Sequence, residues 1–219
     1  MVTNLGSRVL TLAAVGGLIA AASMLGFPQS AQPRAIVPSG STDSPSMCDA
    51  IPGNLVTNCG FETGDFTGWT TTPAAEGSNF GVDDVSPHSG TFDAFFGGTV
   101  PPFTDTISQS IPTISRDTYN IIFWLQNEGD PPNEFIAMFG NTTLLSLTDS
   151  PVFPYTAFVG TVVADSSSES VSFSAYQVPS FFDLDDISVQ LVAAPEPTSL
   201  GLLGAAVLAF GAIRRRRVG

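Results

Sequence analysis

Apolar and polar positions alternate in short runs through the middle of the chain. Tyr119, Ile121, Phe123 and Leu125 fall on one face of an extended segment, and Asn120, Ile122, Trp124 and Gln126 fall on the other. The same period of two recurs over residues 135–139, 157–163, 171–177 and 187–191. From residue 54 onward Gly, Pro, Asn or Asp interrupts the runs at short, regular intervals, and nothing there sustains a helical period. Residues 128–133 and 164–169 are rich in Gly, Pro, Asn, Asp and Ser and predict turns or loops. Many short strands with this punctuation predict an all-β fold of two antiparallel sheets packed as a sandwich. Trp69 precedes these runs and is expected in the core.

The two ends break the pattern. Residues 1–31 carry Arg8 and then an apolar run from Val9 to Phe27, with small residues at Ala22, Ser23, Ser30 and Ala31. A positive start, an apolar centre and a small-residue exit predict a secretory signal peptide, an uncleaved amino-terminal anchor being the alternative. Residues 32–53, rich in Pro, Ser and Gly at their start, read as a linker into a domain spanning 54–193. At the other end an apolar stretch from Thr198 to Ile213 is closed by Arg214, Arg215, Arg216 and Arg217. As a helix it would be roughly 24 Å long, short for a hydrocarbon core of ~30 Å. The arginines would hold the terminus in the cytoplasm, leaving the domain outside.

Charge narrows the partners. The chain has 20 acidic residues against seven arginines, a formal net charge of -13, and no lysine. Only Arg116 lies inside the presumed domain. Nucleic acid, which rewards clustered Lys and Arg, is a poor partner for such a surface. Solubility outside the cell is the plainest role for the excess acid, and Ca²⁺ or neutral polar ligands suit it better than polyanions do. Cys48 and Cys59 stand close together, which in an exported chain reads first as a disulfide, with two free thiols as the alternative. Zinc is a poor third reading, since His88 is the single histidine and lies elsewhere in the sequence.

The terminal segment from Pro195, Glu196 and Pro197 through the apolar stretch to the arginine block resembles the PEP-CTERM sorting signal of Gram-negative bacteria. That resemblance implies an exosortase as partner, transient anchoring in the inner membrane, probable loss of the tail, and a final place on the cell surface or in an exopolysaccharide matrix. Four further stretches resemble, in order, jelly-roll domains of the galactose-binding-like and carbohydrate-binding type. They run from Asn54 to Trp69, from His88 to Gly97, from Ile107 to Leu125, and from Phe182 to Val189. Related domains often hold a structural Ca²⁺ where the first and last of these stretches meet. This resemblance implies Glu62, Asp185 and Asp186 as its ligands, a hard cation requiring six to eight oxygens. The alternative is that these carboxylates cap turns and accept backbone hydrogen bonds.

Stacking on a sugar face requires flat aromatics with amides or carboxylates beside them. Trp124 and Gln126 share a strand face and are the leading candidates for contact with a polysaccharide, with Tyr176 a third. One histidine, without the order of a Ser-His-Asp triad or the spacing of a zinc protease, supplies no parts for nucleophilic or zinc catalysis. Asp83 and Asp84 are paired carboxylates, but neighbours in a strand face opposite ways, so no enzyme is expected. Two functions remain: a polysaccharide-binding module, or a structural coat or biofilm component without a defined ligand.

Overall fold

The computed structural model describes residues 45–193, and the expected signal peptide and sorting tail lie outside them. Ten strands follow one another: β1 (Thr70–Thr72), β2 (Phe80–Asp83), β3 (Asp93–Phe96), β4 (Asp105–Pro112), β5 (Thr118–Asn127), β6 (Asn133–Phe139), β7 (Thr142–Thr148), β8 (Phe153–Val163), β9 (Ser168–Gln177) and β10 (Phe182–Leu191). They form two five-stranded sheets, β1-β4-β9-β6-β7 and β2-β3-β10-β5-β8. The pairs within each sheet are antiparallel. This is the two-sheet antiparallel sandwich that the alternation predicts, and it fits the jelly roll that the resemblance implies.

The alternation works as expected on β5. Tyr119, Ile121, Phe123 and Leu125 are buried in the core, while Trp124 and Gln126 are half-buried on the outer face. Aromatic rings join the two sheets: Phe123 meets Phe173 edge-on at 5.2 Å, and Phe135 lies 5.4 Å from Phe182. Pairs in these arrangements add to the burial of apolar area itself. Trp69 is buried against Phe61 at 5.7 Å, and its Nε1 donates to the Asn58 carbonyl.

β10 begins at Phe182, as the resemblance of the stretch from Phe182 to Val189 to a closing strand implies. Asp183, Asp185 and Asp186 interrupt its apolar pattern, so the period of two alone marks only residues 187–191. A bulge between Asp185 and Ser188 explains the interruption. Asp186 takes a φ of 49°, and the shift lets Leu184 and Ile187 both reach the core although three positions apart.

The structure also corrects the linker boundary. Ser46 and Cys48 are buried, a short 3₁₀ turn spans Met47–Ala50, and Cys48 is bonded to Cys59 with their Cα atoms 6.1 Å apart. Residues 45–53 therefore pack against the sandwich and are not free linker. Loop-closure entropy for so small a ring gives the disulfide about 2–3 kcal/mol. Replacing both cysteines by serine should lower the unfolding free energy by about that amount in urea titrations. An unchanged midpoint would show that the 3₁₀ turn is held by its hydrogen bonds alone.

Candidate functional site

The outer face of the second sheet carries an unusual set of side chains. Phe182, Leu184, Ile187 and Val189 of β10 point into the core, which turns Asp183, Asp185 and Ser188 outward. On β3 Ala94 and Phe96 point inward and Asp93 outward, and on β2 Val82 points inward and Asp83 outward. Asp83 is paired with Asp93, Asp183 with Gln126, and Asp185 with Trp124. These four aspartates are fully buried although they stand on the face away from the core, whereas Asp84 is exposed.

The connection between β2 and β3 buries them. His88 and Ser89 donate their backbone N–H groups to Asp185 Oδ2 at 2.9 and 3.0 Å. Asp186 Oδ2 accepts from the Ser89 hydroxyl at 2.7 Å and lies 2.7 Å from His88 Nδ1. The His88 ring lies on the Trp124 indole, centroids 3.8 Å apart and planes 18° apart, and stands 5.1 Å from the Tyr155 ring. Tyr155 donates its hydroxyl to Asp93 Oδ2 at 3.3 Å. Burial first, and then the charges of Asp93, Asp183 and Asp185, push the Tyr155 phenol far above its ordinary range. Ser86 completes the clasp by donating to Glu128 Oε1.

Each carboxylate expected to hold Ca²⁺ accepts N–H groups instead. Both Glu62 oxygens accept from the Thr91 N–H at 3.0 Å, and Oε1 also from Phe92. Asp185 Oδ1 accepts from the Asp186 N–H, and Asp186 Oδ1 from the Cys48 N–H. Gly90 is required here, because it adopts φ +70° and a β-carbon would strike the Glu62 carboxylate. Among the described residues, His88, Asp185 and Asp186 bring ligand atoms within 4.8 Å of one another, and Glu62 is outside that group. Ca²⁺ takes six to eight oxygens at about 2.3–2.6 Å from carboxylates, carbonyls and water. The hydrogen bonds these three carboxylates accept are those by which the alternative reading has them cap the turn.

The three expected contact residues do not share one face. Trp124 and Gln126 lie together on the outer face of the second sheet, but one indole face is already taken by His88. Gln126 lines a surface cavity of about 570 Å³ with Asn127, Glu128, Val152, Phe153, Pro154 and Ser180. Tyr176 lies on β9 in the other sheet and is 7% exposed, against Gly98. The sandwich separates Tyr176 from Trp124, so it drops out of any shared site. The period of two gave each residue its face within a strand but not which sheet the strand joins. His88 was missed as the partner of Trp124, and Tyr155 as the partner of His88. A lone histidine within a Ser- and Gly-rich stretch carried the signal for the first, and nothing in the sequence marked the second.

The comparisons agree with this architecture. Residues 193–217 match the PEP-CTERM protein-sorting motif. Structurally, the sandwich is similar to carbohydrate-binding modules. TmCBM61, solved in complex with β-1,4-galactotriose, aligns with a TM-score of 0.52 and 15% identity over 64% of this chain and 99% of that one. A CBM4 structure aligns at 0.44 with 15% identity over 63% and 99%, and a family 16 carbohydrate-binding module-2 at 0.45 with 17% identity over 62% and 99%. The chain thus combines a β-sandwich similar in fold to carbohydrate-binding modules with a PEP-CTERM protein-sorting motif. No curated protein matches the chain.

The buried carboxylates give stability a distinct pH dependence. Burial, and next the adjacent Asp186 charge, push Asp185 from 3.8 up to about 8. Glu62 is also raised, first by burial. A group whose pKa is higher in the folded state contributes stability below its unfolded value and loses it as pH rises through the folded one. Between about pH 4 and 8 the melting temperature should therefore fall with rising pH. His88, Tyr155 and Asp186 all face or adjoin Asp185, and Asp185→Asn isolates its share by flattening the slope. A melting temperature that climbs over this interval, or an unaltered slope in the variant, would contradict the assignment.

Proposed function

We propose that this chain is an exported surface or matrix protein whose sandwich binds extracellular polysaccharide at the end of the second sheet's outer face. The observation that carries the reading is the cavity of about 570 Å³, where Gln126 and Glu128 stand beside the apolar surfaces of Phe153 and Pro154. Flat apolar surface beside a few fixed polar groups is the general form of a sugar subsite. The galactotriose in the TmCBM61 complex supports a sugar ligand for a sandwich of this type. Trp124 acts here as a buttress more than as a platform. With His88 it fixes the strand face from which Gln126 projects. The work asked of this face is recognition, and no catalytic role is assigned to it.

The sorting motif supports delivery by an exosortase, with the apolar tail holding the chain in the inner membrane until transfer. The domain then remains on the cell surface or in the matrix. A coat component without a defined ligand is the second reading, favoured by the dense clasp that makes this face rigid.

Retention of the detergent-solubilised full chain on immobilised polysaccharides tests the first reading. Gln126→Ala should weaken binding by about fivefold to tenfold with unchanged melting temperature, and Phe153→Ala, which also loses packing against Phe158, should weaken it as much while lowering the melting temperature. Full retention by both variants would leave the coat reading in possession. Deleting the chain from Pro195 onward should release the protein into the medium. Unchanged processing and location of that truncation would remove the sorting role.

A further inference from the structure

The charge and hydrogen-bonding character of this cavity names a ligand class, an inference that rests on the polysaccharide reading above. Polysaccharides come as neutral chains, as polyanions bearing uronate or sulfate, and as chains bearing free amines. Two features of the wall separate these classes.

The first is that the two amide side chains of the wall, Gln126 and Asn127, have their donors committed within the protein. Gln126 donates its amide NH₂ to Glu128 Oε1 at 3.2 Å and to Asp183 Oδ2 at 3.5 Å. Glu128 Oε1 also accepts the Ser86 hydroxyl at 3.2 Å. What these two cavity-lining residues retain for a ligand is Gln126 Oε1 and Glu128 Oε2, both acceptors only. A ligand meeting them must bring donors, and a carboxylate or sulfate brings none.

The second is the field. Behind Gln126 stands Asp183, to which its amide donates, and beside it Glu128 lines the cavity. The one arginine among the described residues, Arg116, precedes β5 at the end opposite Gln126, roughly 26 Å away along the strand. That exceeds two Debye lengths at physiological ionic strength, so Arg116 does not offset the carboxylates at the cavity. Apolar walls of Val152, Phe153 and Pro154 concentrate the negative potential there.

We propose that the cavity takes an amine-bearing hexosamine polymer, the sugar ring lying against Phe153 and Pro154 and an ammonium group donating to Glu128 Oε2 and Gln126 Oε1. An ammonium offers three donors and no acceptor, which complements a wall that offers acceptors in a negative field.

Calorimetric titration of the detergent-solubilised full chain with three hexamers tests this: glucosamine, its fully N-acetylated counterpart, and galacturonate. The glucosamine hexamer should bind about tenfold more tightly than the acetylated one at pH 6 and low salt, an advantage that shrinks as salt is added, and galacturonate should not bind. Glu128→Gln should abolish the amine preference, so that the glucosamine and acetylated hexamers bind that variant alike. If the two hexosamine hexamers bind alike, or galacturonate binds best, the amine assignment falls while polysaccharide binding stands. If the preference survives in Glu128→Gln, the polymer is adsorbing to the acidic surface at large and the cavity assignment falls. If none of the three binds while another polysaccharide is retained, the amine assignment falls alone, and if no polysaccharide is retained, both fall.

Discussion

The outer face of the second sheet depends on one constraint: carboxylates buried without a lysine or arginine beside them must be satisfied by the backbone. Asp185, Asp186 and Glu62 accept the N–H groups of His88, Ser89, Asp186, Cys48, Thr91 and Phe92. Those bonds fix the β2–β3 connection over the sheet, tie the amino-terminal 3₁₀ turn to β10, and seat His88 against Trp124. An unpaired buried carboxylate is costly, and hydrogen bonds from N–H groups are the compensation available to a chain with so few cations. The compensation is incomplete, as the raised pKa values of Asp185 and Glu62 record.

The disulfide belongs to the same arrangement. Cys48 donates its N–H to Asp186 while its sulfur is bonded to Cys59, whose carbonyl accepts the N–H of Ile187. The ring thereby clamps both sides of the bulge in β10. A bulge leaves ladder groups unpaired, and here the flanking segments supply their partners. Rigidity at this point passes along β10 to Asp183, which stands behind Gln126 in the wall of the cavity.

How far the sequence reveals this depends on the range of the interaction. Strand faces follow from a period of two, so Trp124 and Gln126 on one side of β5 and Phe123 on the other could be read directly. Sheet membership is decided by pairing between distant strands. For that reason Tyr176, correctly placed on the outer side of its strand, proved to lie on the far side of the molecule. The bulge concealed half of β10 from the period of two, since Asp185 and Asp186 look like a turn until one is seen to take a left-handed backbone. Glu62 and the two aspartates could be grouped by the resemblance to jelly-roll domains. Whether they face an ion or the backbone is set by the path of residues 86–92, which local pattern does not determine. The roles of His88 and Tyr155 arise only from that path.

The clasp also explains why the cavity is at the sheet's end and not at its most aromatic point. Trp124, His88 and Tyr155 form an aromatic group on this face, yet His88 and Tyr155 are engaged with Asp93, Asp185 and Asp186. A ligand stacking on Trp124 would have to displace His88, break its contact with Asp186, and expose the carboxylates beneath. A cavity opens beyond the clasp, where β5 ends and β8 begins with Phe153 and Pro154. There Glu128 and Gln126 are fixed by the same hydrogen bonds that close the centre, one from Ser86 on the clasp and one to Asp183 beneath it. The bonds that make the middle of the sheet unavailable are thus the bonds that orient the acceptors at its edge.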